Sequence, residues 1–355
     1  MKRFLLKSIV FLLPIFILFL FTKIFYSTYK GDLFRLGYIP DITDYRHIFE
    51  GERAKGRVIS ISDVSNSSQK KFTALVIGDS FSKQSGFDYV SFLAENDTIS
   101  ILSYDRFLQD KSNPIQTLYG LINGDILDAV KVEYVVLQSV ERHFVKRGEG
   151  LESGEAINYA SIKKLKAQHV KKGEATADEL FSDRLVKFPL YNFFRLFDDN
   201  AFYTQTYQVE TTERLFSLDR KSLLFYEQDI ESVKVNNEIK AILELNKELN
   251  NIAMLLNERG VQLIVLPSPD KYSFYYDYIV NKEDYPKPMF FEHIRSMPKD
   301  YIYIDTKKLL GDEIRKKKDI YFYDDTHWSP IGSRLVAKEL SKVIRNQSEK
   351  SLADL

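Results

Sequence analysis

Ser80, Asp325 and His327 are the side chains of this 355-residue chain whose types and settings can act as one chemical unit. A serine hydroxyl is a weak nucleophile until a base takes its proton, and an imidazole base needs a carboxylate to hold its tautomer. Ser80 closes the run Ala74-Leu75-Val76-Ile77-Gly78-Asp79-Ser80-Phe81, and the other two lie on Tyr323-Asp324-Asp325-Thr326-His327-Trp328. Such a set supports acyl transfer through a serine ester. Each piece alone has a plainer use: Ser often caps a helix after a strand, and an imidazole beside Trp328 can be a satisfied core group. Both segments at strand ends make joint sense at one site. Asp79 reads as structural, because a carboxylate beside the nucleophile opposes developing negative charge.

The elements that must position these residues are legible in outline. The Val/Ile-rich run 71–78, ended by Gly, suits a buried parallel strand. Further strands are expected at 97–103, 133–138, 261–266 and 301–305. Helical spacing of apolar residues runs over 113–130, 236–259 and 330–345. Strand-helix alternation implies an α/β/α domain with a parallel sheet and functional loops at the strands' carboxyl ends. From 144 to 235 the rhythm is lost. There 148–179 is charged with helical tendency, 190–207 is aromatic, and 215–226 is a candidate hairpin; the stretch is expected to be an insertion forming a cap or small subdomain over the site.

Residues 31–70 are polar and mixed, with Ser, Asp and Asn concentrated at 60–68, and read as a tether before a catalytic domain over 71–355. Residues 1–30 read as a membrane anchor. A basic start, Lys2-Arg3, precedes the apolar stretch 8–21, which continues into Ile24-Phe25-Tyr26, close to the roughly 20 residues a bilayer needs. A cleavable signal would end in small residues, whereas Phe25, Tyr26 and Tyr29 are bulky. The positive flank places the N-terminus in the cytoplasm and the remainder outside, although Lys23 and Lys30 reduce the asymmetry.

Zero net charge gives no general attraction to nucleic acid, and the absence of cysteine excludes disulfides, thiolate metal sites and a cysteine nucleophile. Five histidines without a zinc-like pair argue against a metal, and no cofactor motif is present.

Gly78-Asp79-Ser80-Phe81 and Asp325-Thr326-His327-Trp328 resemble the first and last blocks of the SGNH, or GDSL-type, hydrolase superfamily. The Asp-x-His-Trp form resembles its branch of alginate O-acetyltransferase-like, membrane-tethered polysaccharide O-acetyltransferases. The strand 134–138 running into Glu141-Arg142, and Leu263–Leu266 running into Pro267, Asp270 and Lys271, are similar to inner segments of that branch. The resemblance covers about 72–345, most of the insertion excepted. It implies a flavodoxin-like three-layer α/β/α fold and a serine acyl-enzyme acting on a polysaccharide, with a multi-pass membrane acyltransferase as donor-side partner. The superfamily places the acid three residues before the histidine and the branch two before. Asp324 and Asp325 fill both positions, and the full Asp-Thr-His-Trp string favours Asp325.

The superfamily's Gly-x-Asn-Asp block, which supplies an oxyanion-hole Asn, has no counterpart here. The backbone N–H groups after Ser80, beginning with Phe81, are candidates for that role, as are Asn113 and Gln138. Arg142 and Lys271 are candidates for orienting a sugar or carboxylate, with a fold-stabilising ion pair the plainer use of each. Tyr272, Tyr275, Tyr276 and Tyr278 can stack on sugars or simply cover the core. With water in place of a sugar hydroxyl the same three residues make an esterase, and a retired site would make a non-catalytic envelope component.

Overall fold

The computed structural model describes residues 2–26, 31–40, 45–66, 70–109, 113–151, 155–172, 183–218 and 220–353. In chain order the main elements are α1 (Lys2–Phe25), α2 (Asp32–Gly37), β1 (Ile59–Ser60), β2 (Lys71–Ile77), α3 (Tyr89–Leu93), β3 (Ile101–Tyr104), α4 (Pro114–Asn123), β4 (Lys131–Val140), α5 (Glu141–Arg147) and α6 (Arg184–Phe194). They continue with β5 (Thr206–Glu210), β6 (Ser222–Tyr226), α7 (Ile239–Asn257), β7 (Gln262–Ser268), β8 (Ile302–Tyr303), α8 (Thr306–Ile314) and α9 (Pro330–Ala353).

Six strands form one parallel sheet in the order β1-β3-β2-β4-β7-β8. Without the short edge strand β1, this is the flavodoxin-like order, whose switch point lies between β2 and β4. Alternation of side chains along the strands builds two cores. Ala74, Val76, Val136, Ile264 and Leu266 face α3, α9 and the Tyr321–Trp328 segment, while Leu75, Ile77, Val135, Leu137, Leu263 and Val265 face α4 and α7. Along α7, Ile242, Leu245, Leu249, Ile252 and Leu256 are all essentially fully buried, each stabilising the sheet by about 1.5–3 kcal/mol. The expected three-layer α/β/α fold is therefore present.

Some expectations change. The helix expected over 113–130 is two, α4 and Ile126–Ala129, interrupted at Asn123-Gly124-Asp125, residues that favour turns. The strand expected at 301–305 pairs over only two residues. The hairpin expected within 215–226 uses only β6 from that stretch; its partner is β5, from the aromatic segment, with Thr206 opposite Tyr226. Leu215 and Phe216 enter the core instead, Phe216 lying 5.2 Å from the Tyr323 ring. Of the charged stretch 148–179, Tyr159–Lys172 is helical, whereas 152–154 and 173–182 lie outside the described residues.

The largest correction concerns 31–70. Instead of a tether, Leu33, Phe34, Tyr45 and Phe49 are buried in the same core as Trp328, and β1 pairs with β3. Residues 67–69 of the Ser-rich stretch lie outside the described residues. α1 is long and apolar enough to cross a membrane, over Lys7–Phe25, a property shared by single-pass anchors and signal sequences. The bulky Tyr29 and the charged Lys30 lie outside the described residues.

Candidate active site

Ser80 opens a single 3₁₀ turn, Ser80–Ser82, directly beyond β2. The β2–β4 register sets Ile77 opposite Leu137, so Gln138 meets the chain as it leaves the sheet. Its Oε1 accepts from the Asp79 N–H (2.9 Å) and the Ser82 hydroxyl (2.9 Å), and its Nε2 donates to Ser268 Oγ (2.9 Å). Gly78 is required here: a Cβ would fall 2.1 Å from Ser82 Oγ and 2.5 Å from Gln138 Oε1. Asp79 turns back from Ser80, accepting from Val140 N–H, Arg147 Nη1 (both 2.8 Å) and Phe81 N–H (3.2 Å). Burial works to raise its pKa, but Arg147 and the Val140 N–H outweigh it and hold the carboxyl at about 2.

The opposite bank is the turn between Ile320 and Ser329. It is closed by Phe322 N–H donating to His327 O (3.1 Å) and Ser329 N–H donating to Ile320 O (3.0 Å), and α9 starts at Pro330. Inside it, Asp325 Oδ1 lies 2.5 Å from His327 Nδ1 and accepts from the His327 N–H at 3.2 Å. Burial opposes the Asp325 charge, but His327 and Arg46 hold the carboxyl well below the usual carboxylate range. Burial likewise opposes the imidazolium, yet Asp325 and then Asp32 raise His327 above its ordinary value. With an ionised partner at Nδ1, the basic nitrogen is Nε2, which is buried and makes no hydrogen bond among the described residues. The ring packs 4.9 Å from Phe81.

Ser80, Asp325 and His327 line one cleft of about 450 Å³, together with Asp32, Arg35, Arg46, Arg106 and Arg142. A larger depression of about 1050 Å³ runs along the outer face of α7 and includes Lys247, Asn251 and Asp300, with no serine or histidine. Among the described residues, none from 144–235 lines the cleft.

Asp324 takes a different role from Asp325. Its carboxylate accepts from Arg46 Nε (2.8 Å) and Gly31 N–H (3.1 Å), and Arg46 Nη2 continues to Asp325 Oδ2 (2.7 Å). Lys271 does not face a substrate. Fully buried, its Nζ donates to the carbonyls of Phe322 (2.7 Å), Tyr323 (2.8 Å) and Asp325 (3.2 Å), and burial brings its pKa down to about 7 despite nearby acids. Arg142 lines the cleft, but Nη1 is held by Asp270 (2.7 Å) and Asp229 (3.1 Å).

The oxyanion candidates are engaged elsewhere. The Phe81 N–H donates to Asp79, and Gln138 is wholly buried in the bonds given above. Asn113 caps α4 through the Ile115 N–H and donates to Arg147 O (3.0 Å), away from the cleft. Tyr272, Tyr275 and Tyr276 are buried in the core; the Tyr272 hydroxyl donates to Pro286 O.

Sequence reasoning missed Asp32, Arg35, Arg46 and Arg106. Asp32 accepts from the Thr326 N–H (2.8 Å) and hydroxyl (2.7 Å), and burial, then Asp325, raise its pKa to about 6. The apolar pairs Leu33-Phe34 and Tyr45/Phe49 were the available signal that this segment packs. Asp32, Asp325 and His327 bring ligand-type atoms within 4.8 Å of one another, but the Asp325–His327 bond and the Thr326 donors already engage them.

Residues 220–354 match the family model of the SGNH hydrolase-like domain, acetyltransferase AlgX. The fold is SGNH-like, and the resemblance drawn from the motifs agrees with this match. It supports a polysaccharide acetyltransferase-like or SGNH hydrolase function, in the hydrolase and acyltransferase class of enzymes. The matched residues include Asp325 and His327 but not Ser80, which the sheet brings to them. No curated protein matches the chain.

Proposed function

We propose that the protein is a membrane-anchored, serine-dependent O-acyltransferase that transfers acyl groups, acetyl in the first instance, to hydroxyls of a polysaccharide outside the cytoplasm. The observation that carries this reading is the free, buried Nε2 of His327, backed by Asp325 at Nδ1 and sharing a cleft with Ser80. Nε2 takes the Ser80 proton as Oγ attacks the donor's carbonyl, then returns it to the leaving group. The ester on Ser80 is resolved when Nε2 takes the proton of an acceptor hydroxyl, that oxygen attacks the acyl carbon, the acyl carbon–Oγ bond breaks and Nε2 returns the proton to Ser80 Oγ. Arginines lining the cleft supply positive potential to the transient oxyanion. A donor outside the cytoplasm requires delivery across the membrane, which a multi-pass acyltransferase partner would provide.

With water in place of the acceptor hydroxyl the same three residues make an esterase, the second reading, and none of the described residues of 144–235 lines the cleft to keep water out. Full-length protein in nanodiscs, given 4-nitrophenyl acetate with and without an oligosaccharide, separates the two. A Ser80-linked acetyl adduct, absent in Ser80→Ala and discharged faster by sugar than by water, is the expected result. Discharge by water alone points to the esterase, and a folded wild type that never forms the adduct sinks both enzyme readings.

A further inference from the structure

α6 and the turn after it expose an apolar stripe that the cleft does not use. Val186, Leu190, Phe193 and Phe197 recur at helical spacing and are 68, 42, 55 and 67% exposed; Leu196 and Tyr203 beside them are 75 and 85% exposed. Contiguous exposed apolar surface of this kind is rare on a domain surrounded by water and marks an interaction surface.

Its position identifies the occupant. The buried side of α6 packs on the C-terminal end of α1: Phe188 lies 5.4 Å from Phe21 and from Tyr26, and the Thr22 hydroxyl donates to Leu185 O. The apolar span ends at Phe25, so Phe21 lies about 6 Å inside it at 1.5 Å per residue. That depth falls within the roughly 5–10 Å to which interfacial helices sink their apolar faces. Tyr26, Tyr38 and Tyr191 surround the junction, with Tyr38 and Tyr191 rings 5.1 Å apart, and Arg184 lies over Tyr26 at 5.7 Å. Amphipathic rings and cations at the end of a span are the composition of a membrane–water boundary.

We propose that residues 184–203 form a membrane-interface element that lies in the headgroup layer beside α1 and holds the cleft at the bilayer surface. This rests on α1 being retained as the anchor. The link to the cleft is direct: Asn192 Nδ2 donates to Tyr38 O (2.9 Å) and Arg195 Nη2 to Gly37 O (2.8 Å), both at the end of α2, which carries Asp32 and Arg35.

The chain has no cysteine, so single labels are unambiguous. Full-length Leu190→Cys, Phe193→Cys and Phe197→Cys, carrying an environment-sensitive fluorophore, are reconstituted in phosphatidylcholine–phosphatidylglycerol vesicles. Leu13→Cys in α1 and Asn257→Cys at the end of α7 are references. The expected result is that labels at 190, 193 and 197 follow Leu13: quenched several-fold more than Asn257 by doxyl lipid and several-fold less by iodide. If they follow Asn257 while Leu13 reports lipid, the inference is overturned and the anchor stands. Protection from both quenchers overturns it in favour of a protein partner. Loss of the Leu13 label by cleavage removes the anchor and the inference together.

Discussion

On the Ser80 side of the cleft, the supports come from neighbouring strand-helix units: Gln138, Val140 and Arg147 grip Asp79 from 59 to 68 residues along the chain. On the His327 side they arrive from the other end of the molecule: Arg46 and Asp32 hold Asp324, Asp325 and Thr326 across 278 to 294 residues. Ser80 is thus set by sheet register, whereas His327 is set by the segment that follows α1. The first bank is built into the stability of the sheet. The second is a charged assembly held by contacts from the other end of the chain.

The comparison is sharpened most by Asp325→Asn, which keeps the shape but loses the ionised partner that fixes the His327 tautomer. Acylation of Ser80 is expected to fall by up to about 10⁴-fold, read as the adduct formation rate of the folded variant. Nearly unchanged acylation would remove Asp325 from its proposed role.

Asp79→Ala strikes the other bank. It leaves Arg147 with only Ser139 Oγ as a side-chain partner among the described residues and costs about 3–5 kcal/mol of stability, measured by urea unfolding. Asp79 has a folded pKa of about 2, below the ordinary 3.8. Its charge-linked stabilisation is therefore full above about pH 4 and lost as pH falls towards 2, so the gap between the variant and wild-type curves should narrow over that range. A constant difference across that range would mean that the charge of Asp79 is not what matters.

The smallest effect is expected from Asp32→Asn. The reaction needs neutral His327, whose pKa is raised, so the acid limb of the acylation rate should have its midpoint above the ordinary 6.5. Asp32 contributes to that rise, so neutralising it should move the midpoint down. A midpoint that stays fixed would place Asp32 only in the hydrogen bonds of the turn.

The same division explains what the sequence disclosed. β2, β4 and β7 are continuous apolar runs buried on both faces, and Gly78-Asp79-Ser80 ends the first of them, so the strand and the turn beyond it were legible together. The Asp325/His327 pair was legible because it is local. Asp324 and Asp325 could not be separated by spacing; Arg46 and Gly31 distinguish them, and both come from afar. Residues 31–66 resisted reading because their elements are too short for periodicity to register, and their burial is decided by what they pack against. Gln138 and Lys271 were noticed as polar groups near strand ends, but only tertiary contact turns them into scaffolding.

Gly31 gives one of these contacts a wider meaning. Its amide donates to Asp324, the amides of Leu33 and Phe34 donate to Asp324 O, and a Cβ at Gly31 would come within 2.1 Å of that oxygen. Cutting the chain just before Gly31 would convert that amide into a terminal ammonium, adding a positive charge against the turn that carries His327. The covalent continuity of the chain at Gly31 is thus part of the charge balance around Asp324 and His327, not only a connection between elements.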